Sequence, residues 1–246
     1  MLKRITLLRE RVEDWKKYPF CVPVIRNFET LSFRSRIAFF AGENGTGKST
    51  LLEAIASHYG FGPEGGNRNF GVDTTNSNHS IDPLVRTLRL SFDKKQGQGF
   101  FLRAESFFNA ASYVDGLGLA EFYGGRSLHE RSHGESFFTL LQEKFRRNGL
   151  FLMDEPESAL SPQRQLAFLV LIADTLRKYK DAQFIISSQS PILMGFPEAQ
   201  IISFDHDKLQ EVSYEYLPSV QIARRFLNGR DEFLHKLLGK SGSPFS

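Results

Sequence analysis

The stretch that decides the fold is Gly42-Glu43-Asn44-Gly45-Thr46-Gly47-Lys48-Ser49. It fits the pattern G-x-x-x-x-G-K-[S/T] at every fixed position. Residues 36–41 before it form a continuous apolar run, which predicts a strand buried on both faces, and residues 48–59 after it have helical spacing. A strand, a glycine-rich turn and a helix in this order predict a phosphate cradle (P-loop), because backbone N–H groups and the helix N-terminus converge on an anion.

The residues of this cradle predict ATP and Mg²⁺ as its ligands. Lys48 is a compact cation for the β- and γ-phosphates, and the Ser49 hydroxyl is a predicted Mg²⁺ ligand. A glycine-rich turn that only caps a helix is the alternative, and it leaves the lysine unexplained. The predicted nucleotide contacts are Gly42, Glu43, Asn44, Gly45, Thr46, Gly47, Lys48, Ser49 and Thr50.

A second apolar run, residues 150–153, ends in the acids Asp154 and Glu155. In a P-loop fold such a strand lies beside the one that carries the loop. We therefore expect Asp154 to reach the metal, directly or through water, and Glu155 to accept a proton from the attacking water. A solvated acidic turn is the alternative, and the cradle at 42–49 argues against it.

Four segments together resemble the ABC-type ATPases, in the SMC/RecF/OLD-like branch of AAA family proteins. Residues 154–161 resemble the extended Walker B motif and D-loop, and Arg131-Ser132-His133-Gly134-Glu135-Ser136 resembles the signature motif. Residues 185–191 resemble the switch strand, and residues 25–28 resemble the opening strand of that branch. The resemblance covers residues 25–204 and implies an α/β P-loop NTPase head with a mixed or parallel core sheet and an antiparallel β-subdomain.

The resemblance also implies a mechanism at a head-to-tail homodimer interface in the ATP-bound state. In this family the signature serine and glycine of one subunit contact the γ-phosphate held by the other, a role that carries onto Ser132 and Gly134. A simple helix cap is the alternative for Ser132. Too few residues separate Lys48 from Ser132 for a long coiled-coil arm, so the resemblance is to a head alone.

Two positions depart from the family pattern. Gln189 stands where a switch histidine is expected, and since glutamine hydrogen-bonds but stays neutral, we predict slow hydrolysis with Glu155, Gln189 and Lys48 as catalytic residues. The glutamine of the Q-loop has no clear counterpart. Glu105, after a predicted strand at 100–104, is the preferred candidate for that metal-side position, ahead of Gln96 and Gln98.

The remaining chain predicts a single domain over residues 1–246. Residues 60–83 are rich in small polar residues and predict a loop insertion, and residues 219–238 predict one amphipathic C-terminal helix. Strands are predicted at 22–25, 84–92 and 100–104, the last two as a hairpin or as neighbours. A helix is predicted at 136–147.

Composition limits the cellular setting. A net charge of +3 leaves nucleic acid binding open without indicating it, and the single cysteine, Cys21, excludes an internal disulfide. No apolar run is long enough for a membrane helix and no secretory signal is evident, so we expect a cytoplasmic protein. Phenylalanine is abundant, with 24 residues, and most of these rings are expected in the core.

These observations predict an ATPase that hydrolyses ATP slowly and drives or gates a partner protein, in DNA maintenance or anti-phage defence. The alternatives are the ATP-binding subunit of a membrane transporter and a nucleotide-gated switch with negligible turnover. A glycine-rich and then β-like segment follows the P-loop helix, where a transporter subunit would have a helical subdomain.

Overall fold

A computed structural model gives the architecture and describes residues 1–62, 79–94, 98–104 and 133–238. Its strands are β1 (Leu2–Leu7), β2 (Thr30–Ser32), β3 (Ile37–Ala41), β4 (Leu88–Phe92), β5 (Gly99–Arg103), β6 (Leu150–Asp154), β7 (Gln183–Ser187), β8 (Gln200–Ser203) and β9 (Gln210–Glu211). Its helices are α1 (Pro23–Asn27), α2 (Lys48–Tyr59), α3 (Asp82–Thr87), α4 (His133–Lys144), α5 (Pro162–Lys178), α6 (Pro191–Met194), α7 (Pro218–Asn228) and α8 (Arg230–Leu238). Short 3₁₀ turns lie between several of them.

The strands form two sheets. The core sheet has the order β5-β6-β7-β3-β8-β9, in which the first five strands are parallel and β9 is antiparallel at the edge. A smaller antiparallel sheet has the order β2-β1-β4. This confirms the predicted α/β fold with a mixed core sheet and a separate antiparallel sheet.

The central strands of the core sheet are buried on both faces, as predicted. In β3, Ala38 and Phe40 pack on the side of α2 and the small sheet, whereas Ile37, Phe39 and Ala41 pack on the side of α4 and α5. The second side contains a group of stacked and tilted rings, with Phe145, Phe151 and Phe184 centred 4.9 Å from one another. Many of the abundant phenylalanines are therefore core residues.

One buried glutamine joins the two sheets. The Gln183 side chain of β7 accepts a hydrogen bond from the Leu2 N–H (2.7 Å) and donates one to the Leu2 carbonyl (3.0 Å). Because a buried amide is costly unless its donor and acceptor are both satisfied, this pair fixes the register of the small sheet against the core sheet.

Several sequence predictions about local structure were wrong. Residues 22–25 and the opening strand expected at 25–28 contain helix α1, which Pro23 starts at its first turn. The predicted strand 84–92 is helix α3 followed by β4, and β4 pairs with β1 while β5 pairs with β6 in the other sheet, so these segments form no hairpin. The predicted loop 60–83 ends early, since a 3₁₀ turn begins at His79.

Two helices also differ from prediction. The C-terminal helix expected over 219–238 is divided at Gly229 into α7 and α8, of which α7 places Val220 in the core. Helix α4 begins at His133 instead of Ser136. In the parts of the chain that the structure describes, no helix is both long and apolar enough to cross a membrane.

Candidate functional site

The glycine-rich turn between β3 and α2 has a backbone that only glycine adopts easily. Gly47 precedes the first residue of α2 with φ = +100°, and Gly45 has φ = +81°. A Cβ at Gly47 would lie 2.9 Å from Cγ1 of Val22, whereas a Cβ at Gly45 would meet nothing within 4 Å. The turn therefore needs glycine at 47 both for its backbone conformation and for the space beside Val22.

Gly47→Ala should lower the free energy of unfolding by about 1–3 kcal/mol, because a left-handed backbone and a close contact are both imposed on alanine. Urea unfolding followed by circular dichroism would measure this. Gly45→Ala is the matched control, because it imposes a positive φ on alanine without the close contact to Val22. Equal losses in the two variants would show that the Val22 contact does not matter.

Lys48 is buried at the start of α2 and its side chain turns back over the loop. Its Nζ donates hydrogen bonds to the carbonyl oxygens of Gly42 (2.7 Å) and Glu43 (2.8 Å). Burial lowers the pKa of Lys48, and the carboxylates of Glu155 and Asp154 oppose that shift most. The ammonium group is thus held inside the loop, and the negative charges of Glu155 and Asp154 favour its charged form.

Ser49 and Asp154 meet although 105 positions separate them. The Ser49 hydroxyl donates to Oδ1 of Asp154 at 2.9 Å, because β6 and β3 are both neighbours of β7 and end at the same edge of the sheet. Burial raises the pKa of Asp154, and the Ser49 hydroxyl and the Arg103 guanidinium oppose this. A hydroxyl beside a carboxylate is an oxygen donor set that suits Mg²⁺.

Glu155 follows directly at the end of β6. Its φ of +48° is unusual for a non-glycine residue, and its N–H donates to the Ser187 carbonyl at 3.0 Å. The side chain is half-buried and lines a cavity of about 260 Å³. The residues around this cavity are Asn44, Ser49, Arg103, Ala104, Asp154, Glu155 and Ser158.

Gln189 follows β7 and reaches the cradle. Its side-chain amide donates a hydrogen bond to Oδ1 of Asn44. The structure therefore brings together Lys48, Ser49, Asp154, Glu155 and Gln189, each of which the sequence had singled out. The cradle itself is open, since Glu43, Asn44 and Gly45 are exposed.

Thr50, the last predicted nucleotide contact, lies 3.0 Å from the hydroxyl of Tyr18, oxygen to oxygen. Tyr18 is 47% exposed at the mouth of the loop. Three predicted residues have a different outcome: Glu105 and Ser132 lie outside the described residues, and Gly134 lies in the first turn of α4.

Three residues of the site were missed by sequence reasoning. Arg103, at the end of β5, has its guanidinium 2.7 Å from Oε1 of Glu53 and 3.9 Å from Oδ2 of Asp154. Asp205, after β8, accepts the Glu43 N–H at 3.2 Å, and Glu157 accepts two hydrogen bonds from the loop after β7. Each follows a buried strand or the Asp-Glu-Pro run, a signal that could have found them.

Comparison with protein families decides the class of this chain. A family model described as AAA domain matches residues 11–148, more than half of the sequence. The chain belongs to the AAA domain family. As an AAA domain it is an ATP-binding P-loop ATPase in general terms, which confirms the predicted family and this part of the predicted function. Asp154, Glu155 and Gln189 lie beyond the matched stretch.

Solved structures similar to this AAA domain include an SMC head domain and an ABC transporter. The SMC head domain from Thermotoga maritima matches with a TM-score of 0.48 and 15% identity, over 86% of this chain and 98% of that chain. An inward-facing putative metal-chelate type ABC transporter matches with a TM-score of 0.45 and 15% identity, over 76% and 77%. No curated protein sequence matches the chain. The roles of individual residues therefore depend on the geometry of this domain.

Proposed function

We propose that this chain binds ATP with Mg²⁺ in the P-loop and hydrolyses it slowly, in the manner of an ABC-type head. The observation that carries the proposal is the contact of the Ser49 hydroxyl with Asp154 beside the buried Lys48. Two acids, a hydroxyl and an ammonium group converge where β3 and β6 end, although they are distant in sequence. That combination suits a metal-bound triphosphate better than a neutral ligand.

The residues of the loop would hold the phosphates, and Ser49 with Asp154 would hold the metal. Mg²⁺ neutralises charge on the β- and γ-phosphates when it is bound. Lys48 is placed to exchange its two carbonyl acceptors in the loop for phosphate oxygens. The backbone N–H groups of the exposed residues Asn44 and Gly45 and the N-terminus of α2 would supply further donors.

Glu155 would act as the general base and Gln189 as a neutral contact of the γ-phosphate or of the water. The oxygen of water would attack the γ-phosphorus and its proton would pass to the Glu155 carboxylate, while the bond from the γ-phosphorus to the β–γ bridging oxygen breaks and that oxygen leaves with ADP. Gln189 donates and accepts hydrogen bonds but carries no charge, so it contributes orientation without electrostatic assistance. Slow turnover follows from this neutral side chain.

The proposal extends to a homodimer that forms with ATP and acts on an effector protein. The open cradle supports it, because Glu43, Asn44 and Gly45 are exposed around a site where catalysis is favoured when bulk solvent is excluded and one water is positioned. Ser132 and Gly134 of a second subunit would provide that cover. A cytoplasmic location, where ATP and Mg²⁺ are both present, belongs to the same proposal.

A nucleotide-gated switch with negligible turnover is the second candidate, and the contact of Gln189 with Asn44 favours it. In that arrangement the amide of Gln189 is engaged by the loop instead of by water. Phosphate release separates the two candidates, since the switch binds ATP without releasing phosphate.

Isothermal titration calorimetry with ATP, steady-state phosphate release and light scattering, each with and without Mg²⁺, would test the proposed function. We expect Mg²⁺-dependent turnover well below about 10 s⁻¹, the middle of the range for enzymes, and a doubling of mass with ATP. ATP binding without phosphate release would support the switch. Absence of ATP binding would overturn both candidates.

A further inference from the structure

Glu157 is a largely buried carboxylate that links two loops of the site. It lies on the 3₁₀ turn Pro156–Ala159, directly after the Asp154-Glu155 pair. Its Oε1 accepts a hydrogen bond from the Ser188 hydroxyl at 2.9 Å and another from the Gln189 N–H at 2.6 Å. One oxygen atom therefore holds both the backbone and a side chain of the loop after β7.

The same loop delivers Gln189 to the cradle. The Gln189 amide donates to Oδ1 of Asn44, so a continuous path of hydrogen bonds runs from Glu157 through Gln189 to the P-loop. Other contacts of this loop are between neutral groups. The Ser188 hydroxyl accepts the Ser190 N–H, and the Ser190 hydroxyl donates to Oε1 of Gln165. Glu157 adds an ionisable group to this network.

The other oxygen of the Glu157 carboxylate is buried without a partner in the described part of the chain, which lowers the stability of the folded protein. Oε2 is buried and has no hydrogen-bond partner among the described residues. A buried carboxylate with an unused acceptor is less favourable than a neutral amide that makes the same two contacts, and burial accordingly raises the pKa of Glu157. The carboxylate therefore adds little to folding stability, and its two hydrogen bonds act on the position of the loop after β7.

We infer that Glu157 is a positioning residue: its two hydrogen bonds set the place of Gln189 at the cradle and thereby the rate of hydrolysis, with little effect on ATP affinity. Glu157 makes no hydrogen bond to the cradle in the described contacts, and of the four acids that act on Lys48 it contributes least, so its main route to the cradle is Gln189. The inference rests on the proposed ATPase function, and it assigns the control of that reaction to the side chain that follows the proposed general base by two positions.

Three replacements of Glu157 separate the effect of side-chain length from the effect of charge. Glu157→Asp keeps the charge but shortens the side chain by one methylene group, so the carboxylate no longer reaches the Ser188 hydroxyl and the Gln189 N–H. Glu157→Gln removes the charge but keeps an oxygen that can accept both hydrogen bonds. Glu157→Ala removes both. Glu215→Ala is the control, because Glu215 is an exposed residue that pairs with Arg224 and does not line the cavity.

The full-length protein and these variants would be compared in kcat, in ATP dissociation constant and in melting temperature. We expect kcat of the Asp and Ala variants to fall about 10-fold to 100-fold, as small misplacements of a reacting group do. The Gln variant should recover most of that loss, and the ATP dissociation constant should change less than about 3-fold, well under the 1.4 kcal/mol that a tenfold change represents. The melting temperature of the Gln variant should not decrease.

A double-mutant comparison tests whether Glu157 acts through Gln189. If it does, Glu157→Ala added to Gln189→Ala should cost nothing further in kcat, because the group that it positions is already gone. Additive losses in the double variant would overturn the inference. So would full activity in Glu157→Asp, or a loss in Glu157→Gln as large as that in Glu157→Ala.

Hydrogen exchange at the Gln189 N–H gives a readout that does not need hydrolysis. Exchange should be faster in Glu157→Asp and Glu157→Ala than in the wild type, and near the wild-type rate in Glu157→Gln. If the wild type releases no phosphate, the proposed hydrolysis fails but this measurement still decides the positioning contact. Unchanged exchange in Glu157→Ala would overturn the inference even in an active enzyme.

Discussion

Glu155→Gln should strongly reduce steady-state phosphate release and leave ATP bound to the protein. The side chain that loses its basicity lines the cavity with Ser49 and Asp154, whereas the backbone contact of Glu155 with Ser187 is unaffected by the change. General-base catalysis is worth about 100-fold to 10,000-fold in rate, so turnover should fall by that factor with ATP affinity preserved. Radiolabelled ATP retained after rapid gel filtration would show the trapped state.

The control for this variant is Glu215→Gln, which makes the same amide replacement on an exposed residue. It should have wild-type turnover. Unchanged phosphate release in Glu155→Gln would show that another group accepts the proton. Loss of ATP binding in that variant would show that Glu155 holds the nucleotide instead, and light scattering of the ATP-bound variant would reveal whether a dimer accumulates.

Lys48→Ala should remove most of the affinity for ATP. The ammonium group of Lys48 is buried inside the loop, and truncating one member of a buried, charged hydrogen-bonded pair costs at least about 2 kcal/mol, which is about 30-fold in affinity. Isothermal titration calorimetry would measure the loss. The increase in melting temperature that ATP gives the wild type should disappear as well, because that increase depends on binding to the folded state.

Lys48→Met separates the role in binding from a role in folding. It keeps the apolar stem of the side chain and removes the charge whose burial lowers the pKa of Lys48. A lysine with a lowered folded-state pKa costs stability below that pKa, and the cost disappears as the pH rises to the unfolded-state value. Without ATP, Lys48→Met should therefore melt at a temperature no lower than the wild type at neutral pH.

Lys178→Ala, on an exposed turn of α5, is the control for ATP binding. Wild-type ATP affinity in Lys48→Ala would contradict the assigned role.

The candidate site could be predicted to the extent that its parts are local. The cradle, its lysine and the strand before it lie within a dozen residues, and their glycine positions and apolar run are properties of a short segment. Asp154 and Glu155 could be placed because a buried apolar strand that ends in acids is expected beside the strand that carries the P-loop. The meeting of Ser49 with Asp154 then followed from strand order, which the ATPase resemblance supplied.

The hairpin prediction was wrong because strand propensity does not say which strand is the partner. Residues 84–92 and 100–104 both read as strands with a turn between them, yet β4 belongs to the small sheet and β5 to the core sheet. The four consecutive buried positions of β5 are typical of a strand covered on both faces, unlike the alternation in β4. At 22–25, β-branched residues favoured a strand, but Pro23 at the first turn and the packing of Val24 and Ile25 in the core made a helix.

The sequence by itself determined that this protein has a phosphate-binding loop, a second acidic motif and a mixed α/β architecture, because each depends on a short pattern of glycines, charges and apolar residues. Only the tertiary structure decided that Glu157 holds the Gln189 loop, that Arg103 lies beside Asp154 and that Gln189 reaches Asn44. These contacts join the ends of strands that are far apart in the chain. Their distances are set by how the sheet is ordered and packed, which no local pattern specifies.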